Sequence, residues 1–359
     1  MNGWRVVFLL GNLELGGAER QALILARYLS EHERADVEVW GFNRSGPVAD
    51  ICEQHRIKWR VVSLKQPFDL RNFTRLLREA RPDILLPYTL IPNVVCGLVW
   101  QRTGASLCVW NQRDEGIFTL NAKWQLRAAQ QTPQFVSNSQ SGARYLIEKL
   151  NVDPAKVRVI PNGIEVSLPQ SDRRTWRARL EIDDTAFVAC MVANLHANKD
   201  HETLLKAWRL VVDAFNRDAV LVLAGRHYGA YESLVELTNE LGLSNSVRFA
   251  GQVSDVAGLL SAVDLGVFSS RSEGCPNGVL ECMAAGLAVV GTDIEAIREV
   301  VGEKFLAPSG DAQRFAQVIL ELADDPDLRA TIGAANESKI KEQYNAQRMC
   351  EAIVFLLSS

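Results

Sequence analysis

The residues best suited to chemistry lie in one stretch, Phe268-Ser-Ser-Arg-Ser-Glu-Gly-Cys-Pro-Asn-Gly-Val-Leu-Glu-Cys-Met-Ala-Ala-Gly286. Two carboxylates, Glu273 and Glu281, flank a Gly-containing loop and the first turn of an expected helix. The open N–H groups of such a turn favour an anion. Gly274 and Gly278 would let a ligand approach the backbone closely, so a phosphate there would meet amides rather than side chains. Glu281, one turn into the helix, is placed to accept hydrogen bonds from neutral hydroxyls such as those of a ribose. Glu273, at the loop tip, would face whatever hangs off the phosphate. Taken alone, the pattern also fits an ordinary strand–turn–helix, because short motifs recur by chance.

Further loops carry residues of the same character. Gly16-Gly-Ala-Glu-Arg20 places Gly16 and Gly17 before a helix start. It lacks the GxGxxG spacing and the later acid of a nicotinamide site, but it suits a diphosphate or a sugar; a plain tight turn is the alternative. Ala193-Asn-Leu-His-Ala-Asn-Lys-Asp-His201 holds Asn194 and Lys199, the latter a compact charge fit for a phosphate or simply a surface lysine. Ala250-Gly-Gln-Val-Ser254 offers backbone at Gln252 and Val253 that could read a base edge, or makes a simple turn. Gly291-Thr-Asp-Ile-Glu-Ala296 follows the last core strand, with Asp293 in a structural role. Of five histidines, only His196 and His201 approach a ligand spacing, and they lack a third partner, so no metal site is expected.

The elements that must position these loops alternate. Arg5–Leu10 is a continuous apolar run, the pattern of a strand buried on both faces of a parallel sheet. A helix from Ala18 to Leu29 follows, then strands at Val37–Phe42 and near Arg60–Leu64, a helix at Leu70–Ala80, strands at Ile84–Pro87 and Leu107–Trp110, and Val157–Ile160 to close the first half. Residues 164–184 are polar, carry Arg173, Arg174, Arg177 and Arg179, and look like a linker. The alternation then restarts with strands at Phe187, Val220, Val247, Asp264 and Ala288. This predicts an α/β chain of two doubly wound domains, with a ligand at the C-terminal ends of the strands. The expected boundaries are 1–167, 168–342 and a final helical segment at 343–359.

Composition narrows the function. The 359 residues are 47% hydrophobic and 23% charged, with a net charge of −4. That is globular, suits two domains, and gives no general attraction to nucleic acid. Seven scattered cysteines, without a CxxC pair, argue against a disulfide framework and favour a reducing, cytoplasmic setting. No leader is expected, and no apolar run reaches spanning length. Arg71, Arg75, Arg78 and the segment Lys123-Trp-Gln-Leu-Arg127 are either solvated helix faces or a peripheral contact with anionic headgroups at the inner membrane face.

The motifs together resemble glycosyltransferase family 4, retaining enzymes of the GT-B fold, in which two Rossmann-like domains face each other across a cleft. The resemblance rests on Gly16-Gly-Ala-Glu19, Val136-Ser-Asn-Ser139, Val159-Ile-Pro-Asn-Gly163, the Lys199 loop, Arg248-Phe-Ala-Gly251, Ser272-Glu-Gly-Cys-Pro-Asn277 through Glu281, Gly291-Thr-Asp293 and Pro308-Ser-Gly-Asp311. Glu273 and Glu281 match the family's E-x7-E element. The resemblance implies a nucleotide-sugar donor on the C-terminal domain and an acceptor on the N-terminal one. Glu281 would hold the ribose and Glu273 the donor sugar. The amides of Asn277, Gly278 and Val279, with Lys199, would hold the diphosphate, Gln252 and Val253 would lie by the base, and the Gly16–Gly17 loop would close over the diphosphate. The final helix would return to the first domain.

The sequence departs from the family twice. No arginine precedes Lys199 near Asn194, leaving Arg20 or Arg113 to offset the diphosphate charge. Where many members carry a histidine that touches the donor sugar, Asn111-Gln-Arg-Asp-Glu115 offers Arg113 or Asp114. The expected activity is transfer from a UDP-sugar, with retention and without metal or cofactor, to a sugar, polysaccharide or lipid-linked acceptor. A nucleotide-sugar 2-epimerase of the same fold and a non-catalytic nucleotide-sugar binding partner are the alternatives.

Overall fold

The continuous apolar runs form the central strands of two parallel sheets, buried on both faces as such runs require. A computed structural model of the chain describes residues 3–64, 69–116, 120 and 122–358. The first sheet has seven strands: β1 (Arg5–Leu10), β2 (Asp36–Phe42), β3 (Lys58–Val62), β4 (Ile84–Pro87), β5 (Leu107–Gln112), β6 (Gln134–Ser137) and β7 (Val157–Val159). Its order is β3-β2-β1-β4-β5-β6-β7. The second has six: β8 (Phe187–Val192), β9 (Ala219–Ala224), β10 (Val247–Gly251), β11 (Leu265–Phe268), β12 (Val289–Thr292) and β13 (Leu306–Ala307), in the order β10-β9-β8-β11-β12-β13. Both are doubly wound, and strand order reverses between β1 and β4 and between β8 and β11. Loops at the carboxyl ends of those strands are where such sheets bind ligands.

Unit 1 comprises the residues through Gly163 together with those from Ala346 onward; unit 2 is Ile164–Asn345. The helix Pro326–Gln343 stays in unit 2. The helix Ala346–Ser358 buries Met349, Cys350, Ile353 and Leu357 in the unit 1 core with Leu25, Ala26 and Leu29 of the helix Gly17–Glu31. The Gln21 side chain bonds both the N–H and the carbonyl of Gly163 at 3.0 Å, so the end of unit 1's main segment is tied to its first helix.

The linker expected at residues 164–184 is corrected by the structure. Residues 165–170 are exposed, with Leu168 86% accessible, whereas Trp176 and Arg177 further on are buried. The helix Arg173–Arg179 is an integral part of unit 2. Arg177 is 1% exposed, pairs with Asp264 at 3.1 Å and donates to the carbonyls of Ala262, Asp183, Asp184 and Ala186. Trp176 donates to Asp255 at 2.9 Å, and the same carboxylate receives the N–H groups of Gln170, Ser171 and Gly258. An arginine-rich helix reads as solvated because its partners lie far away in sequence.

Candidate functional site

In unit 2, the loops leaving β8 and β11 are laced together. After β8 the chain makes a short turn at Ala197–Lys199, passes Asp200 in a left-handed conformation (φ 50°) and enters the helix His201–Ala214. After β11 come Ser269 and Ser270, both fully buried. The Ser269 hydroxyl donates to Lys199 O at 3.0 Å, and Arg271 N donates to Asn198 O at 2.8 Å. The Arg271 guanidinium reaches Asp200, a buried carboxylate, at 2.9 Å, and Thr203 donates to its other oxygen at 2.8 Å. Two loops far apart in sequence thus form one rigid platform.

On that platform Lys199 Nζ is ion-paired with the Glu273 carboxylate, their side chains 22% and 10% exposed. The Ser270 hydroxyl donates to the same Glu273 oxygen at 2.6 Å. Thr292 Oγ1, from β12, donates to Ser270 O at 2.5 Å and fixes the serine in turn. Both candidates therefore converge, as a neutral pair. His201 lies just beneath; burial, and secondarily the Lys199 charge, pushes its pKa down to about 4 against a smaller opposing effect of Asp200. Its imidazole is neutral near pH 7.

The helix Asn277–Ala284 opens directly after this loop. Its first internal hydrogen bond is Leu280 N to Pro276 O at 3.1 Å, so the amides of Asn277, Gly278 and Val279 precede that bond and form the helix start. The Val279 side chain is buried, leaving only its backbone for a ligand, and Glu281 stands half-buried one turn on. Gly278 also has a packing reason within the chain. A Cβ there would fall 2.2 Å from Val192 O and 2.9 Å from the Phe268 ring, so its glycine lets the helix pack against the ends of β8 and β11. Gly274 is buried in the loop. Asn194 accepts from Arg226 N at 3.0 Å, bracing the β8 loop against the β9 loop. Gln252 is exposed and Val253 half-buried, just past Gly251, whose φ of 64° turns the chain out of β10.

Unit 1 places the remaining candidates at the carboxyl ends of its own strands. Gly16 caps the helix Gly17–Glu31, and a Cβ on it would lie 2.6 Å from Glu19 Oε2, so the glycine leaves room for that acid to fold back over the helix start. Arg113, half-buried after β5, stacks over the Tyr88 ring with Cζ 4.5 Å from its centroid. It donates to Asn162 Oδ1 at 3.1 Å and to Asn111 Oδ1 at 3.2 Å. Asp114 is used differently: its carboxylate accepts from Gly116 N at 2.7 Å and Gln112 Nε2 at 2.9 Å, closing the turn, and burial raises its pKa. Asp293 pairs with Arg298 on the surface, as a structural residue would.

Sequence reasoning missed Ser270, Thr292 and the Arg271–Asp200 pair. Adjacent serines ending an apolar strand were the available signal, since buried hydroxyls need partners. It also missed the amide network around Arg113, although Asn138 and Asn162 lie in the motifs quoted above.

Among the described residues no helix is long and apolar enough to cross a membrane. A family model for glycosyl transferases group 1 matches residues 186–325, and one for glycosyltransferase family 4 matches residues 15–168. A GDP-mannose-dependent monoacylated alpha-(1-6)-phosphatidylinositol monomannoside mannosyltransferase of Corynebacterium glutamicum is 29% identical over 216 residues, 56% of this chain and 55% of its own. A UDP-Gal:alpha-D-GlcNAc-diphosphoundecaprenol alpha-1,3-galactosyltransferase of Escherichia coli is 25% identical over 304 residues, 78% of each chain. The match spans 55% and 48% of the first two curated relatives, about half their length. The Anabaena protein Alr3699/HepE, solved with UDP-glucose, superposes with a TM-score of 0.86 over 99% of both chains at 22% identity, a likeness of fold. With both halves matched by family models and the fold shared end to end, the chain belongs to glycosyltransferase family 4 and has the GT-B fold.

Proposed function

We propose that the protein transfers a sugar from a UDP-sugar to a sugar, polysaccharide or lipid-linked acceptor, with retention at the anomeric carbon. The observation that carries this reading is the Lys199–Glu273 pair beside the start of the helix Asn277–Ala284, at the point where strand order reverses in unit 2. A diphosphate seated on the amides of Asn277, Gly278 and Val279 would take Lys199 as its cation. Glu273 would then turn to the sugar, where positive charge develops as the glycosidic bond breaks. Glu281 would hold the ribose, with Gln252 and Val253 beside the base and Asn194 bracing the loop.

In the front-face route the bond from the anomeric carbon to the departing phosphate breaks as the acceptor oxygen bonds to the same face. The acceptor proton passes to the phosphate oxygen, so no enzymic nucleophile is required. Unit 1, with Gly16, Gly17 and Arg113, would serve the acceptor. The exposed bases Arg71, Arg75, Lys123 and Arg127, with Trp124, are consistent with work at the inner face of a membrane. UDP is favoured by the UDP-glucose of the Anabaena structure and the UDP-Gal in the E. coli relative's name.

A non-catalytic nucleotide-sugar binding role is the second reading. It is favoured by the lack of an arginine before Lys199 in residues 193–198 and by the pairing of that lysine with Glu273. UDP release with and without acceptor separates the two. The direct test of the phosphate chemistry is thermal protection by UDP in chelator. Protection should persist, because helix start and Lys199 supply the positive field; its loss would mean that a metal carries the diphosphate.

A further inference from the structure

Lys199 owes its place to the residues on either side of it. Its carbonyl takes the Ser269 hydroxyl at 3.0 Å, and its N–H donates to His196 O at 2.9 Å. The residue before it, Asn198, accepts Arg271 N at 2.8 Å. The residue after it, Asp200, accepts the Arg271 guanidinium at 2.9 Å. Arg271 thus holds both neighbours of the lysine, one through its backbone and one through its side chain, on the same loop as Glu273, the lysine's partner. The two ends of the Arg271–Asp200 pair differ, the arginine side chain being 60% exposed and the carboxylate 1%. An exposed pair contributes little, but a buried carboxylate stripped of its cation is costly to hold. Asp200 also sits at φ 50° and its side chain caps no amide of the helix it opens; the carboxylate takes Thr203 Oγ1 and Arg271 instead. A non-glycine residue stays in that backbone region only where its surroundings hold it there. A turn held in this way fixes the direction in which Lys199 leaves the backbone.

We propose that Arg271, acting through Asp200, is the positioning residue for Lys199. It sets where the ammonium stands and does not itself touch the ligand. Without Arg271, the Asp200 carboxylate must turn to water or to the neighbouring Lys199 ammonium, and either change moves that cation off Glu273 and away from the start of the helix Asn277–Ala284. The placement of Lys199 is a property of the free protein. Its consequence for the donor rests on the reading above, in which Lys199 meets the diphosphate.

The test compares the full chain as wild type, R271Q and D200N, each with and without K199A. In free protein carrying isotope-labelled lysine, the Lys199 Cε–H resonance, assigned by its loss in K199A, should move toward that of a solvated lysine in both R271Q and D200N. UDP affinity, read by calorimetry, should fall roughly threefold or more in each, and neither substitution should lower it further in K199A. R271K, which can keep a bond to Asp200, should recover both signals. D200N separates position from charge: removal of an acid near the site would by electrostatics alone tighten an anion, so a gain in UDP affinity counts against positioning. A Lys199 resonance unmoved by both substitutions overturns the proposal. So does a loss of affinity that persists in full in K199A, which would mean direct ligand contact or a general loosening of unit 2. A shifted resonance with unchanged UDP affinity upholds the placement of Lys199 and counts against the donor reading instead.

Discussion

The two units share a scaffold and differ in how they handle charge. In each, the sheet reverses its order beside the first strand of the unit, β1 or β8, and the loops at that end collect the polar residues. Unit 2 fills them with opposed charges, Lys199 with Glu273 and Arg271 with Asp200. Unit 1 sets one arginine among neutral amides. A paired platform is rigid without ligand, and an incoming anion must compete with Glu273 for the lysine. Arg113 is instead held by hydrogen bonds to neutral amide oxygens. The same architecture thus offers two electrostatic solutions, and each can be broken separately.

The largest effect should come from Arg177, which knits the helix Arg173–Arg179 into unit 2. Arg177→Ala leaves Asp264 without its buried partner and strips four backbone carbonyls of a donor. Loss of one member of a buried pair costs about 3–5 kcal/mol, so denaturant unfolding should show unit 2 melting well before unit 1. Coincident transitions at the wild-type midpoint would return this segment to the status of a linker.

Next is Lys199→Ala, which should weaken UDP binding by at least roughly tenfold, the worth of a charge-assisted contact of ~1.5–3 kcal/mol. Because Glu273 and Lys199 are paired, their substitutions should be non-additive: Glu273→Gln should raise UDP affinity in the wild-type background and leave it unchanged on top of Lys199→Ala. Additive effects in titration calorimetry would mean that the pair does not persist in solution.

A smaller effect separates the units by pH. His201 has a folded pKa near 4, below its ordinary value of 6.5. A base held neutral in the fold contributes stability that is complete above 6.5 and is lost as pH falls toward 4, because the unfolded chain binds the proton first. Wild type should therefore lose stability over that window relative to His201→Asn. Parallel curves would show that the imidazole charges without unfolding.

What was legible in the sequence follows the range of the forces involved. Long apolar runs such as Arg5–Leu10 and helices with clear periodicity such as Leu70–Ala80 announce themselves locally. The strand Gln134–Ser137 has only Phe135 and Val136 as apolar residues, too few to set a period. Glu273 and Lys199 were each visible as chemistry at the end of a strand. Their pairing was not, because it spans 74 positions and depends on β8 and β11 being neighbours. Burial of Arg177 was hidden for the same reason. Gly278 was legible as a place of close approach, but its contact with the chain's own Val192 carbonyl was not.

The central claim is that Glu273 and Glu281 divide the donor between them on the unit 2 platform. It is tested most directly by titrating UDP, which carries a ribose and a diphosphate but no sugar, into wild type, Glu273→Gln and Glu281→Gln. Removing Glu281 should weaken UDP binding, since its contact is with the ribose. Removing Glu273 should leave UDP affinity at least as high as wild type, because Lys199 is released from its partner. Loss of UDP binding in Glu273→Gln with normal binding in Glu281→Gln would contradict the account.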